Sequence, residues 1–554
     1  WADKPPGEII DSLIDTPTNI TADSGNNPGN YATLNPLNTN TNQTLSDGNL
    51  KCAATGNQWG VAPATIGITS GKYYFESTVT GNSYQYIGIA NKDSTILDSV
   101  TSTDDYWGET SNDWGYQSGG TIVHNSGHSG TSTSYGTGDV VALAFDADSK
   151  VCKWYKNNTL VHTVTLSGSA PFFVGVGVYG SGNSQVVNFG QRGSFTYTPP
   201  ANHLALCTTN LPEPTIADGS TAFDTKIFTA NNGSQSISLG FSPDLVWTKS
   251  RANAYDHQLF DTLRGNNQEI RSNTTDASRD LANSLTFDSS GFTMPSNNNN
   301  ANYGSGGSVA WAWDAGSSTV SNTDGSITSN VRANPSAGFS IVSWTCNGSL
   351  NQSIGHGLNA TPEFLIFKNR DRATNWTVFH KDATTTTQKV FYLNSSGAIA
   401  DYSGGSSTWW NALPTSSVFS VGDTGTAVNH TSGDDMITYC FTPVASYSAF
   451  GKFSGNSSTD GPFVFCGFKP RFLLLKGVTQ ARNWIILDTE RDAGNVGDSY
   501  LHPNTSGAES TYAIADILSN GFKMRYNGGL ANQTGEDYIW AAFAEHPFKT
   551  ARAQ

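Results

Sequence analysis

Asp261 and Asp488 are the carboxylates whose spacing most invites a chemical reading. Each has an arginine three positions later, Arg264 and Arg491, and a ring four positions earlier, His257 and Trp484. Two carboxylates about 5–10 Å apart in one cleft could supply the acid and the base or nucleophile of glycoside hydrolysis. The matching position elsewhere carries His380, with Ala383 in place of the arginine. A catalytic set combines unlike residues once, whereas this pattern recurs, so a repeated structural ion pair is the expectation. Neither an H-E-x-x-H, a Gly-x-Ser-x-Gly nor a phosphate-binding glycine loop is present. The chain is therefore read as a non-enzyme with no cofactor.

His124 and His128 lie in a loop with two Gly and two Ser around them, where an i, i+4 pair has no helix to aim both rings at one ion. Asp146-Ala147-Asp148 could wrap calcium, yet Asp-x-Asp is also ordinary hairpin chemistry, and metal binding stays open. The six cysteines (Cys52, Cys152, Cys207, Cys346, Cys440, Cys466) are far apart without zinc spacing, and several sit in apolar strand patterns as small buried hydrophobes. Sequons at Asn232, Asn273, Asn347, Asn394, Asn456 and Asn532 arise by composition in a chain rich in Asn, Ser and Thr, and leave glycosylation undecided.

Loop aromatics carry more. Tyr84, Tyr106, Trp107, Trp114, Tyr116 and Tyr135, with Tyr86 among them, are dispersed among Gly, Ser, Asn and Asp, and Trp409-Trp410 follow Gly404-Gly405-Ser406-Ser407-Thr408. Flat rings beside amides and hydroxyls suit sugar faces or protein hot spots, so these residues, Tyr86 apart, are the expected ligand-binding set of eight.

The elements that must position such residues are strands. A content of 57 Gly, 14% charged and 11% aromatic residues in 554 describes many short strands joined by turns. An all-β chain of tandem antiparallel β-sandwich domains is expected. A net charge of −15 disfavours nucleic acid as partner. No apolar run approaches the ~18 residues of a membrane helix, so no membrane insertion is expected. The amino end, Trp1-Ala2-Asp3-Lys4, has neither Met nor a signal-peptide pattern, so a trimmed start is expected.

An internal triplication organises the second half. Pro243, Pro362 and Pro470 are each followed after six positions by Lys249, Lys368 and Lys476, and after fourteen by His257, Trp376 and Trp484. The predicted order is an extended arm over 1–50, a β-sandwich over 51–198, a linker over 199–220, repeats over 221–316, 337–445 and 446–554, and a second linker over 317–336.

Residues 51–198 carry, in order, Gly71-Lys72-Tyr73-Tyr74-Phe75-Glu76, Ile87-Gly88-Ile89, Gly138-Asp139-Val140, Trp154-Tyr155-Lys156-Asn157-Asn158, Pro171-Phe172-Phe173-Val174 and Asn188-Phe189-Gly190-Gln191. This series resembles a SPRY domain, which implies a bent antiparallel sandwich used for binding. The whole arrangement, from Asp11-Ser12-Leu13-Ile14-Asp15 and Gly29-Asn30-Tyr31-Ala32 through the repeats, resembles tail-fibre or other virion-surface proteins of marine tailed bacteriophages. That resemblance implies a virion-surface location, other virion proteins as partners, and attachment to a host surface glycan or protein; a polysaccharide depolymerase or a purely architectural part are the alternatives. Ile9, Ile10, Leu13 and Ile14 in a polar, Pro-broken arm need burial elsewhere, and a homo-oligomer, by analogy with fibres a homotrimer, would provide it.

Overall fold

The computed structural model describes residues 30–549 apart from 82–83, 98–103, 282–283, 297–299, 403–408, 423–427 and 430. The described residues are all-β, broken by three short 3-10 turns, and the chain divides at Glu213 and Pro214 into two compact units. The arm anchors Ile9 to Ile14 lie outside the described residues.

In the first unit, one sheet has the order Gln43–Ser46, Lys51–Ala54, Ser184–Asn188, Lys72–Thr80, Val140–Asp146, Val151–Lys156, Thr159–Thr165, with Leu204–Ala205 pairing in parallel to Lys72–Thr80. The other runs Val61–Pro63, Phe172–Val178, Gln85–Asn91, Asp113–Gln117, Thr121–His124, Gly127–Thr131. Side chains pin the two sheets together. Trp154 donates from Nε1 to the Ile87 carbonyl at 3.2 Å, and Gln185 donates to the carbonyls of Tyr86 and Gly177 while accepting from Ser77 Oγ. A buried amide with all these bonds made fixes register where an unpaired one would cost stability.

Two predicted boundaries shift. Residues 30–50 are no free arm, because Ala32 and Leu34 are fully buried and Gln43–Ser46 is a strand of the first sheet. The predicted linker 317–336 contains strands Thr319–Asn322 and Ser329–Asn334, which extend the sheet of the following segment. Composition rich in Ser, Thr and Asn marks a solvent-facing strand as readily as a loop.

The second unit contains one strand arrangement three times. Phe223–Thr229, Gly307–Trp313, Leu245–Ser250 and Gln258–Asp261 lie side by side in that order; so do Phe339–Thr345, Asp435–Phe441, Phe364–Asn369 and Thr377–His380; and so do Ser448–Ser454, Asp537–Pro547, Phe468–Gly477 and Ile485–Asp488. The registers agree: the residue two after each proline faces the terminal aromatic, Leu245 with Trp313, Phe364 with Phe441, and Phe472 with Phe543. Pro243 and Pro362 precede their strands, whereas Pro470 lies within its strand at a register break, a place where a missing N–H is tolerated.

The apolar runs after the prolines are buried on both faces, and alternation sorts them. Val246, Leu365 and Phe367 point into the interior of their own segment, while Leu245, Trp247, Phe364, Ile366, Phe472 and Leu474 enter one cluster shared by all three segments. At its centre Trp313, Phe441 and Phe543 form a triangle of rings with centroid separations of 6.4, 5.5 and 5.8 Å. Three repeat domains were expected; a shared core makes them one unit.

The recurring rings close this unit cyclically, and two of the three recurring lysines add contacts between segments. Trp376 Nε1 donates to the Arg271 carbonyl, Trp484 Nε1 to the Tyr392 carbonyl, and His257 Nε2 meets the His502 carbonyl, so each segment reaches the one before it and the first reaches the last. Lys368 Nζ donates to the Thr275 carbonyl and Lys476 Nζ to the Ser396 carbonyl, again one segment back. With carbonyls as partners, burial pulls Lys249, Lys368 and Lys476 each down to about 8.

His380 contacts the following segment in its neutral form. Nδ1 accepts from the Asp382 N–H and Nε2 lies 3.2 Å from the Trp540 carbonyl, and burial lowers its pKa from 6.5 to about 4. Between those values the unfolded chain takes a proton that the folded chain refuses, so stability falls as pH falls from 6.5 to 4, by about 3 kcal/mol in total. We expect His380→Gln to be less stable than the parent at pH 7 yet to lose about 3 kcal/mol less between pH 7 and 4. Urea unfolding at both pH values measures this, and parallel losses in the two proteins would refute it.

Candidate ligand-binding cleft

Four adjacent strands of the second sheet in the first unit end together. The start of Val61–Pro63, the end of Phe172–Val178, the start of Gln85–Asn91 and the end of Asp113–Gln117 are neighbours, because Val61 pairs with Gly177, Val178 with Gln85 and Tyr86 with Gln117. Antiparallel pairing therefore brings Trp59, Tyr179, Tyr84 and Gln117 to one end of the sheet. Together with Asn57, Gln58 and Asp104 they line an open cleft of about 470 Å³.

Trp59 is the hub. Its ring centroid lies 4.9 Å from Tyr86, 5.0 Å from Tyr179, and 6.1 Å from both Tyr84 and Tyr106. Its backbone N–H donates to Asp104 Oδ1 at 2.9 Å, and Gln117 Nε2 donates to the Tyr86 hydroxyl at 2.6 Å. Tyr86 is buried beneath the cluster, and that burial pushes its phenol well above the ordinary value. Trp59 and Tyr179 are half-buried, and Tyr84 is 55% exposed. The side-chain amides of the exposed Asn57 and Gln58 have no partner among the described residues. Beside the rings, burial and the neighbouring Asp105 carboxylate raise the pKa of Glu109.

Of the predicted ligand-binding residues, Tyr84 lines the cleft and Tyr106 supports it, stacked at 5.8 Å on Tyr86. The other six are buried and present no free ring face. Trp107 fills a trough in the sheet where a Cβ on Gly88 would fall 2.4 Å, and one on Gly175 2.7 Å, from its ring. Glycine at alternate strand positions, as in Ile87-Gly88-Ile89 and Val174-Gly175-Val176-Gly177, made room for that ring. Trp114 stacks on His124 at 4.5 Å, and Tyr116 packs against Tyr135, whose hydroxyl donates to the Gln85 carbonyl. Trp410 donates to the Lys389 carbonyl and packs on Phe367 and Phe379, and Trp409 packs near Tyr392 and Tyr402.

Trp59 and Tyr179 escaped the sequence reading although the same signal marked them: Trp59 sits in Gly56-Asn57-Gln58-Trp59-Gly60, and Tyr179 follows the last residue of an apolar strand.

The other candidates resolve into packing. Asp261 with Arg264, and Asp488 with Arg491, are ion pairs whose side chains are fully buried, out of reach of any substrate. His124 Nδ1 bonds the Asp113 carbonyl, Asp146 pairs with Lys72 at 2.8 Å, and Asp148 accepts from the Gly71 N–H. Among the described residues no three metal-ligating side chains converge, and the six cysteines are buried thiols. No helix among the described residues is long and apolar enough to cross a membrane.

Comparison with known proteins falls along the same division. Residues 72–192 match the SPRY domain. Among solved structures, the SPRY domain of human HERC1 is 17% identical with a TM-score of 0.25, covering 30% of this chain and 99% of that one. Stonustoxin is 23% identical with a TM-score of 0.23, covering 28% of this chain and 26% of that one. No curated protein matches. The three-segment unit gives the remaining match, spanning residues 218–547 and therefore more than half of the sequence, and by it the chain belongs to the family described as domain of unknown function DUF7483.

Proposed function

We propose that the protein is a virion-surface component of a tailed phage, a tail-fibre or decoration protein that attaches to a host surface glycan or protein through the cleft around Trp59. The cleft carries this reading. Half-exposed rings clustered with amides that have no partner among the described residues form a recognition surface at the end of the sheet, and its volume falls in the range of about 300–1,000 Å³ used by small-ligand sites. The virion setting is supported by the sequence resemblance and by an all-β chain with 14% charged residues.

Two measurements test this. Mass spectrometry of purified particles should find the chain, and the fluorescently labelled full chain should bind cells that those particles infect. Trp59→Ala should reduce cell binding at least tenfold. Absence from the particle, or undiminished binding by the variant, would end this reading.

A further inference from the structure

Resting on the attachment reading, we propose that the Trp59 cleft binds the neutral pyranose end of a surface glycan, with room for one or two sugar rings. The ligand class follows from what lines the site. The axial C–H bonds of a pyranose carry partial positive charge and pack on the negative face of an aromatic ring. Trp59, Tyr84 and Tyr179 line one opening, and the Trp59 and Tyr179 rings, 5.0 Å apart and inclined at 44°, pack against each other as one bent aromatic floor on which a sugar face can rest.

Sugar hydroxyls are both donors and acceptors, and the cleft answers with groups that are both. Asn57 and Gln58 contribute amides with no competing partner among the described residues, and Gln117 is held by its bond to Tyr86. Asp104 is fixed by the Trp59 N–H and adds a carboxylate acceptor.

Charge then narrows the glycan. Among the described lining residues there is no lysine, arginine or histidine, and Asp104 is the one ionisable group with a formal charge at neutral pH. A carboxylate- or phosphate-bearing sugar would meet an unpaired like charge with no cation to offset it, a repulsion that selects against such a ligand. An extended peptide would be expected to use an exposed strand edge for main-chain bonds, whereas these four strand ends are paired with one another.

The experiment uses the full chain and a panel of lactose, maltose, cellobiose and N-acetylchitobiose, with 3′-sialyllactose as the charged counterpart of lactose. Saturation-transfer NMR and titration of tryptophan fluorescence read binding. At least one neutral sugar should bind, Trp59→Ala and Tyr84→Ala should each weaken it about tenfold, and sialylation should not tighten binding. Tyr84 is exposed, so its truncation leaves the fold intact and keeps the test decisive if the Trp59 variant is unstable. Binding of none of the neutral sugars, binding unaffected by Tyr84→Ala, or tighter binding of the sialylated form would overturn the proposal. Periodate and protease treatment of cells separates this inference from the reading beneath it. If attachment depends on Trp59 yet survives periodate and is lost with protease, the cleft is an attachment site for protein and the glycan assignment falls alone.

Discussion

Replacing Asp261 by alanine should destabilise the three-segment unit by about 3–5 kcal/mol, the range for breaking a buried ion pair by removing one partner. Arg264 is fully buried, and its other bonds go to the carbonyls of Gln268 and Leu259 and weakly to the Tyr439 hydroxyl. Asp261 is the carboxylate that balances it. The same carboxylate accepts from Tyr439 at 2.8 Å, so the substitution also leaves a buried hydroxyl from the next segment without its acceptor.

Asp488 supplies the internal comparison. It holds Arg491 in the same way and accepts from Trp311 Nε1 at 2.9 Å, but Arg491 keeps a second carboxylate, Glu509, at 3.0 Å. Asp488→Ala should therefore cost less than Asp261→Ala, although the two aspartates occupy matching positions. Chemical denaturation of both variants and the parent reads the difference. A cost for Asp261→Ala below about 1 kcal/mol, or the reverse order of the two, would remove the charge argument.

How much of this was legible in the sequence depended on whether a residue's partner was near in the chain. The strand after each proline was legible because alternation and turn residues are local signals, and the SPRY-like series because its hairpins are short. The role of the loop aromatics was not, since whether Trp107 is a platform or a plug is decided by glycines on strands distant in sequence that form a trough only once paired. The sequons show the same limit. Asn273 and Asn394 read as composition, yet Asn273, Asn394 and Asn504 each accept from the backbone N–H of the recurring ring residue and donate to the residue before it, Asp256, Asn375 and Asn483. An Asn followed by two Ser or Thr residues after each ring was the available signal, and its drifting offset hid it.

Replacing Trp484 by alanine should cost about 3–5 kcal/mol through the cavity left in the shared core. The ring is essentially inaccessible and stacks on Phe391 at 5.7 Å and 19°. Its Nε1 donates to the Tyr392 carbonyl at 3.0 Å, so the cost has an apolar part and a polar part. Trp484→Phe separates them, because it keeps most of the packing and abandons the carbonyl, and should cost less than alanine. Trp484→His tests the cyclic arrangement itself. His257 stands at the matching position with Nε2 3.1 Å from the His502 carbonyl, so a histidine in that setting can reach a carbonyl one segment away. At position 484 it should retain the hydrogen bond while losing ring volume, and its stability should fall between the parent and Trp484→Ala. Thermal and urea unfolding of the three variants give the ranking. An alanine variant with the parent's midpoint would show that the ring does not hold the segments together, and a histidine variant no better than alanine would show that matching positions do not share a bonding role.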